Sequence, residues 1–406
     1  MLSEKSKAVI LATLPVVAAN IGEISAVFYR RMFAAHPELE RDLFNRGNQA
    51  QGDQQRALAG SIAAYATLLV SDMAPDQSDL VSRVANKHAS LGIRADQYDI
   101  VHKFLFGAIE EVLGDAVTED VAAAWDEVYW HMARALISME DELYADAGVE
   151  PGDIWLDLEV RQRTQESPDS VSFVLASPGG DPLPVSHPGQ YVSVAVTLPD
   201  GARQIRQYSL TRAPERMEWR ITVKAVAEAV AEDGTRYPPG EVSNYLHENL
   251  FEGDKLSVSL PFGDLTLEDG SDSLLLVSAG IGCTPIIGML HHLARTGTER
   301  EVVVLHADRS PARHAHREEL AELVAKLPGS SVRHWYEDLD PDEAGDTTSQ
   351  GLIDLQGVDV PTDAQVYLCG PLPFMEKVRR SLLHRGIPDR NIHYEVFGPD
   401  TWLASA

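Results

Sequence analysis

The hydrophobic period of this chain changes twice, so one uniform layer of secondary structure cannot account for it. Over the first 150 residues only Pro15, Pro37 and Pro75 of the 23 prolines occur. There Val121, Trp125, Val128, Met132, Ala135, Met139 and Leu143 recur at helical steps. Tyr98, Val101, Leu105, Ala108 and Val112 draw a second stripe, and Ile24, Val27, Phe28 and Met32 a third. The third stops at His36-Pro37, because a proline ring disfavours helical backbone in the residue before it. This part reads as all-α. At Glu150-Pro151-Gly152 the period falls to two: Ile154, Leu156, Leu158 and Val160 alternate with Trp155, Asp157 and Glu159. Val171/Phe173/Leu175, Trp219/Ile221/Val223 and Leu256/Val258/Leu260 repeat that step, predicting an antiparallel β-barrel. From Ser273 buried strands at 274–277, 302–305 and 366–368 alternate with helical stretches, one of them Arg313 to Lys326, which predicts an α/β domain with a parallel sheet. The expected domains are 1–148, 151–265 and 270–406.

Charge narrows the partners. A net charge of −28 argues against nucleic acid or an anionic membrane, since both repel an acidic surface. Any anionic ligand must then be held by local devices such as helix N-termini, glycine turns and single arginines. Only Cys283 and Cys369 are present, so no disulfide framework is expected and a reducing cytoplasm is. The N-terminal stretch is interrupted by charge and unlike a signal peptide. No apolar run reads as long enough to span a membrane, and a monomer is the expected state.

Several motifs carry chemistry. Pro188-Gly189-Gln190-Tyr191 and Arg206-Gln207-Tyr208-Ser209-Leu210 are spaced as neighbouring barrel strands, and Gly240-Glu241-Val242-Ser243-Asn244 follows. An arginine can grip a diphosphate, a tyrosine ring can lie on an isoalloxazine beside a hydrogen-bonding hydroxyl, and a glycine-serine turn opening a helix can cap phosphate oxygens. Ser278-Ala279-Gly280-Ile281-Gly282-Cys283-Thr284-Pro285 follows a buried strand directly. There Thr284 reads as an N-cap and Pro285 as the first helical residue. Leu368-Cys369-Gly370-Pro371 repeats the strand–glycine–helix context, and Tyr394-Glu395-Val396-Phe397-Gly398-Pro399 comes near the end.

In this order the pieces resemble the ferredoxin-reductase-like flavin/nicotinamide modules over about residues 151–400. The resemblance implies that Arg206 and Ser243 contact FAD phosphates, that Gln207 lies within the same flavin motif, and that Tyr208 and Ser209 meet the flavin ring. It places Tyr191 against the cofactor and Phe397 over the flavin face. Gly280, Gly282, Thr284, Cys369, Gly370 and Pro371 would line the nucleotide cleft. The chain departs from the pattern in a long Ala225–Pro239 segment, in Cys283 where glutamine is usual and in Val396 where cysteine is.

Upstream, Phe28-Tyr29, Leu43-Phe44-Asn45, Gly52-Asp53-Gln54 with Leu58, Lys87-His88, Tyr98, and Glu140-x-Glu142-x-Tyr144 resemble the globins. Joined to the reductase they resemble the flavohaemoglobins across nearly the whole chain. That likeness implies haem b, FAD and NADH or NADPH, with His88 as proximal iron ligand and Tyr98 and Glu140 polarising it. Tyr29 and Gln54 would face bound dioxygen, while Phe44 and Leu58 keep the pocket apolar. Lys87 and Glu395 are expected to face one another's cofactors at the domain junction. The implied activity is nitric oxide dioxygenation, consuming O2, NO and NAD(P)H. A peroxide or lipid-hydroperoxide reductase remains an alternative, as does a gas sensor or store whose reductase keeps iron ferrous. Arg309-Ser310 after the 302–305 strand leans slightly toward NADPH. Read without the resemblance, His88 competes with His102 and His131, and Glu140 in Glu-Asp-Glu could equally be a solvated charge.

Overall fold

The computed structural model describes residues 2–70, 77–230 and 234–398. The chain divides into two compact units, one built on Met1–Trp155 with Ala195–Arg206, the other on Leu156–Val194 with Gln207–Phe397.

The first unit is helical: α1 (Glu4–Ala35), α2 (Pro37–Asp42), α3 (Arg46–Gln51), α4 (Asp53–Val70), α5 (Gln77–Ala89), α6 (Gln97–Leu113) and α7 (Glu119–Ala147). The helix ends follow local chemistry. Ser3 caps α1 by accepting the Ser6 amide, Thr118 caps α7 by accepting the Val121 amide, and Gly148 closes α7 in the left-handed region. Ile10, Ile24, Met32, Tyr65, Ala66, Ala85, Ala108 and Ala133 form the centre of the core. By length and composition α1 could cross a membrane, which corrects the expectation that no apolar run approaches that length. Its Ile10, Val17, Ile24, Phe28 and Met32 are nevertheless spent on the helical core, while Leu11 and Val16 face outward. Residues 195–206, expected as barrel, lend strand residues to the barrel sheet and also make contacts with this unit. Gln204 Nε2 donates to the carbonyls of Arg41 at 3.0 Å and Phe44 at 3.1 Å, and Arg46 Nη1 lies 2.7 Å from Asp200.

The barrel strands are β1 (Trp155–Ser167), β2 (Ser170–Ala176), β3 (Tyr191–Thr197), β4 (Arg203–Ser209) and β5 (Trp219–Lys224), followed by β6 (Ala229–Val230), β7 (Arg236–Tyr237), α8 (Glu241–Asn249) and β8 (Lys255–Ser259). The sheet order is β4-β3-β8-β1-β2-β5, and a bridge from Leu210 to Ile221 ties its two edges together. Closure of this kind removes exposed sheet edges. Within the long 225–239 segment β6 and β7 pair as an exposed two-stranded ribbon, Ala229 with Tyr237 and Val230 with Arg236.

The remaining elements are β9 (Leu274–Ala279), α9 (Cys283–Thr296), β10 (Val302–Asp308), α10 (Arg317–Ala325), β11 (Ser331–Tyr336), β12 (Thr348–Gln350), β13 (Gln365–Cys369), α11 (Leu372–His384) and β14 (Ile392–Glu395). Their sheet is parallel, in the order β12-β11-β10-β9-β13-β14. The helix expected over 313–326 is shorter than its apolar pattern. A 3-10 turn occupies Pro311–Arg313, and α10 starts only after His316, whose φ of 63° is left-handed.

Candidate functional site

His88 is the penultimate residue of α5. Its Nδ1 lies 2.8 Å from Glu140 Oε1 on α7 and 2.9 Å from the Tyr98 hydroxyl on α6. That hydroxyl donates to the same Glu140 oxygen at 2.5 Å. Glu140 is 2 % exposed, whereas Asp141 and Glu142 are exposed, because Glu140 shares the inward face of α7 with Leu136 and Tyr144 at four-residue steps. Burial and then the Glu140 charge push the Tyr98 phenol far up, so it keeps its proton and acts only as donor. With Nδ1–H donating to the carboxylate, a neutral His88 ring carries its lone pair on Nε2.

Two tyrosines not singled out for this role complete the frame. Tyr144 donates to the Ile93 carbonyl at 2.7 Å, just past α5, and Tyr129 donates to the Tyr98 carbonyl at 2.6 Å. Position alone could have flagged Tyr144, one turn beyond Glu140 on the same helical face.

A second group gathers around Tyr29 on α1. It is buried, with its ring 5.8 Å from Phe44 and 5.6 Å from Phe33, both edge-on or tilted. Burial drives its phenol up, and hydrogen bonds from Gln54 and Gln49 oppose this only in part. Gln49 is the member that sequence reasoning missed; it sits on short α3, where no apolar period marks it. Leu58, one turn after Gln54 on α4, packs half-buried against the core. Lys87 sits beside His88 on α5, its carbonyl taking the Ser90 hydroxyl at 2.8 Å.

In the barrel, Arg206, Gln207, Tyr208 and Ser209 run consecutively along β4. Arg206 Nη1 donates to its neighbour's carbonyl, Ile205, at 2.7 Å, and Gln207 Nε2 to Ser193 Oγ at 2.9 Å. The Ser209 hydroxyl is buried with no hydrogen-bond partner among the described residues. Buried Tyr191 begins β3 and pairs with Phe262, and Ser243 occupies the first turn of α8.

The nucleotide motifs converge. A 3-10 turn, Gly280–Gly282, leads from β9 into α9, and Cys369-Gly370-Pro371 leads from β13 into α11. β9 and β13 are neighbours in register, Cys369 beside Ser278. The strand order reverses between them, and ligands of open parallel sheets bind outside the carboxyl ends at such a point. A Cβ on Gly282 would collide with the Cys369 carbonyl, so only glycine lets the two turns close up. The cap assignment needs correction. Gly282 is the N-cap and Cys283 the first helical residue; Thr284 turns its hydroxyl back to the Ile281 carbonyl at 3.0 Å, and Pro285 is third. The turn enters the helix without a break, so no side-chain cap is needed, and Pro285 still falls where an amide would lack a partner. Glu395 is buried at the end of β14 opposite Cys369, and Phe397 just beyond it is 48 % exposed. Pro399 lies outside the described residues.

Three domain families match the chain in this order: Globin over residues 26–136, Oxidoreductase FAD-binding domain over 157–267 and Oxidoreductase NAD-binding domain over 276–380. The Flavohemoprotein of Rhizobium meliloti is 40% identical, covering 98% of this chain and 99% of its own length. The chain belongs to the flavohaemoprotein family. The Flavohemoprotein of Bordetella pertussis is 42% identical over the same shares. A crystal structure of flavohemoglobin from Malassezia yamatoensis with bound FAD and heme superposes with a TM-score of 0.86 at 40% identity, over 98% of this chain and all of that one. The FAD/NAD-binding part of a nitric oxide dioxygenase from Vibrio cholerae covers 60% of this chain and 98% of its own, at 37% identity and a TM-score of 0.54. Like the family, the chain is an NAD(P)H-dependent flavohaem oxidoreductase with a globin domain, a flavin barrel and a nicotinamide-binding α/β domain.

Proposed function

We propose that this flavohaemoprotein is a nitric oxide dioxygenase that converts NO and O2 to nitrate at the expense of NAD(P)H. The observation that carries the reading is the His88–Tyr98–Glu140 cluster within the same helical unit as the buried Tyr29. The residues suit the groups the family carries. The His88 arrangement leaves Nε2 as the free donor, as a haem iron requires, and the unpartnered Ser209 hydroxyl suits a flavin ring atom. When bound, haem supplies the iron at which the two gases react, and FAD passes it electrons from the nucleotide one at a time.

The protein's own part follows from its side chains. Glu140 holds the Nδ1 proton of His88 and so makes the ring a stronger electron donor through Nε2, while Tyr98 stops that carboxylate from rotating. Tyr29, kept protonated by burial, can donate a hydrogen bond to negative charge developing on a bound diatomic, aided by Gln54. Phe44 and Leu58 keep water out. In the reductase Arg206 and Ser243 would hold phosphate, Tyr191, Tyr208 and Ser209 the ring system with Gln207 bracing β4, and Phe397 the outer flavin face. Gly280, Gly282, Thr284, Cys369, Gly370 and Pro371 would admit the dinucleotide. Lys87 and Glu395 would each add charge beside a cofactor.

The test is NO consumption by the purified holoprotein with NADH and with NADPH, with nitrate counted against NO. Stoichiometric nitrate is the expected result. Nucleotide-dependent loss of peroxide with no nitrate would overturn it in favour of a peroxide reductase, and NO binding without turnover in favour of a sensor.

A further inference from the structure

Between the flavin barrel and the nicotinamide domain, one carboxylate collects three basic groups. Glu319, on the first turn of α10, lies 2.9 Å from Arg220 Nη2 of β5, 2.7 Å from His291 Nε2 of α9 and 2.6 Å from His316 Nδ1. Burial alone would raise this carboxyl; hydrogen bonds from His291 and His316 and the Arg220 charge outweigh it and hold the group well below the usual carboxylate range. Around this hub, His316 Nε2 reaches Thr222 Oγ1 of β5 at 2.8 Å, and Thr222 in turn meets Ser172 Oγ of β2 at 2.9 Å. Glu166 of β1 lies 3.4 Å from His316 Nδ1.

Both arms of this cluster lead to cofactor motifs. Arg220 Nε donates to Thr211 Oγ1 at 2.8 Å and Nη2 to the Thr211 carbonyl at 2.8 Å, and Thr211 directly follows Tyr208-Ser209-Leu210 at the end of the flavin strand. His291 stands on α9, the helix that opens at the Gly280–Gly282 nucleotide turn. The same helix touches the flavin strand directly, since a Cβ at Gly288 would strike the Leu210 carbonyl. His316 adopts a left-handed backbone that a non-glycine residue holds only where its surroundings over-determine it. Here the imidazole is the cause: buried, and fixed through both nitrogens.

We propose that Glu319, gripped by Arg220 from the barrel and by His316 and His291 from the nicotinamide domain, is a positioning residue for hydride transfer, fixing the nucleotide helix against the flavin strand. The proposal rests on the reductase reading above, in which two electrons and a proton equivalent move as hydride from the reduced nucleotide to the flavin. Reaction between two held rings is steep in distance, and a misplacement near 1 Å can cost orders of magnitude. Nucleotide affinity depends instead on the glycine turns, which the clasp does not touch.

The experiment is anaerobic stopped-flow reduction of the flavin in the holoprotein by NADH and by NADPH, followed at the flavin absorbance over a range of nucleotide concentrations. Glu319→Gln removes the charge with little change in shape. His316→Asn keeps a residue that tolerates the left-handed backbone but deletes the ring. The expected result is a limiting reduction rate lowered about tenfold in Glu319→Gln and less in His316→Asn, with nucleotide dissociation constants within about twofold and flavin content unchanged. A limiting rate equal to wild type, with only the melting temperature lowered, would overturn the proposal, as would a weakened nucleotide constant at unchanged limiting rate. If Glu319→Gln does not fold, His316→Asn decides by the same criteria. A wild-type flavin left oxidised by both nucleotides would overturn the reductase reading along with it, whereas dithionite reduction of every variant serves as the check that the flavin itself is competent.

Discussion

Glu140, buried, and Glu319, partly exposed, are both carboxylates that bind imidazole nitrogens, yet their partners differ. Glu140 takes a single imidazole and a phenol that never loses its proton, both on one oxygen. Its negative charge is therefore delivered to one ring, that of His88, whose other nitrogen is left to act. Glu319 faces two imidazoles and a guanidinium on both oxygens, so its charge is consumed in joining segments 99 residues apart, Arg220 and Glu319. On the readings proposed above, one carboxylate would tune a ligand and the other would hold a geometry. The count and charge of the partners make the difference, together with the deeper burial of Glu140.

The largest effect should come from removing what Glu140 acts on. His88→Ala should abolish the Soret band of the purified protein while the flavin absorbance stays, and NO turnover should fall by more than about a hundredfold; a full Soret band would place the ligand elsewhere. Next, Glu140→Gln keeps the shape but not the charge. It should raise the haem reduction potential and cost roughly 10- to 100-fold in turnover, read by spectroelectrochemistry beside NO consumption. An unchanged potential would mean that Glu140 only packs.

Acid should separate the two regions. Glu319 has a depressed folded pKa, so its stabilisation is present above the unfolded value near about 4.3 and lost as pH falls below it. His334 is lowered by burial to about 4, and His314, stacked 3.7 Å from His306, is lowered as well. These histidines bind protons more readily unfolded. Their contribution is whole above about pH 6.5 and lost as pH falls toward the folded values, by roughly 3 kcal/mol for His334. The nicotinamide domain should therefore show falling hydrogen-exchange protection, relative to the intrinsic rate at each pH, between about pH 6 and 4, and His334→Leu should flatten that fall. The smallest effect belongs to the frame around His88: Tyr144→Phe, losing the bond to the Ile93 carbonyl, should cost about 1 kcal/mol in denaturant titration with the Soret band intact.

Much of this could be read without coordinates. Helical period located α6 and α7, two-residue alternation located β1, β2 and β5, and glycine motifs after buried strands located the paired turns that open α9 and α11. Other features could not be read so. Asp141 and Glu142 look like Glu140 along the chain, and only the phase of α7 against α5 and α6 buries one and exposes the rest. The apolar pattern from Arg313 to Lys326 looks continuous, but the bonds of His316 to Thr222 and Glu319 break it. Residues 195–206 carry strand alternation and still make helical-unit contacts through Gln204.

By itself the sequence determined the kinds of layer, their order, and the residue types able to carry iron, flavin and nucleotide, because period, turn chemistry and helix ends depend on neighbours within a few positions. Tertiary structure alone decided which of fourteen histidines meets a buried carboxylate and which acidic residues lose their water. Desolvation and charge pairing depend on groups dozens of residues away, and those meet only when the chain has closed around them.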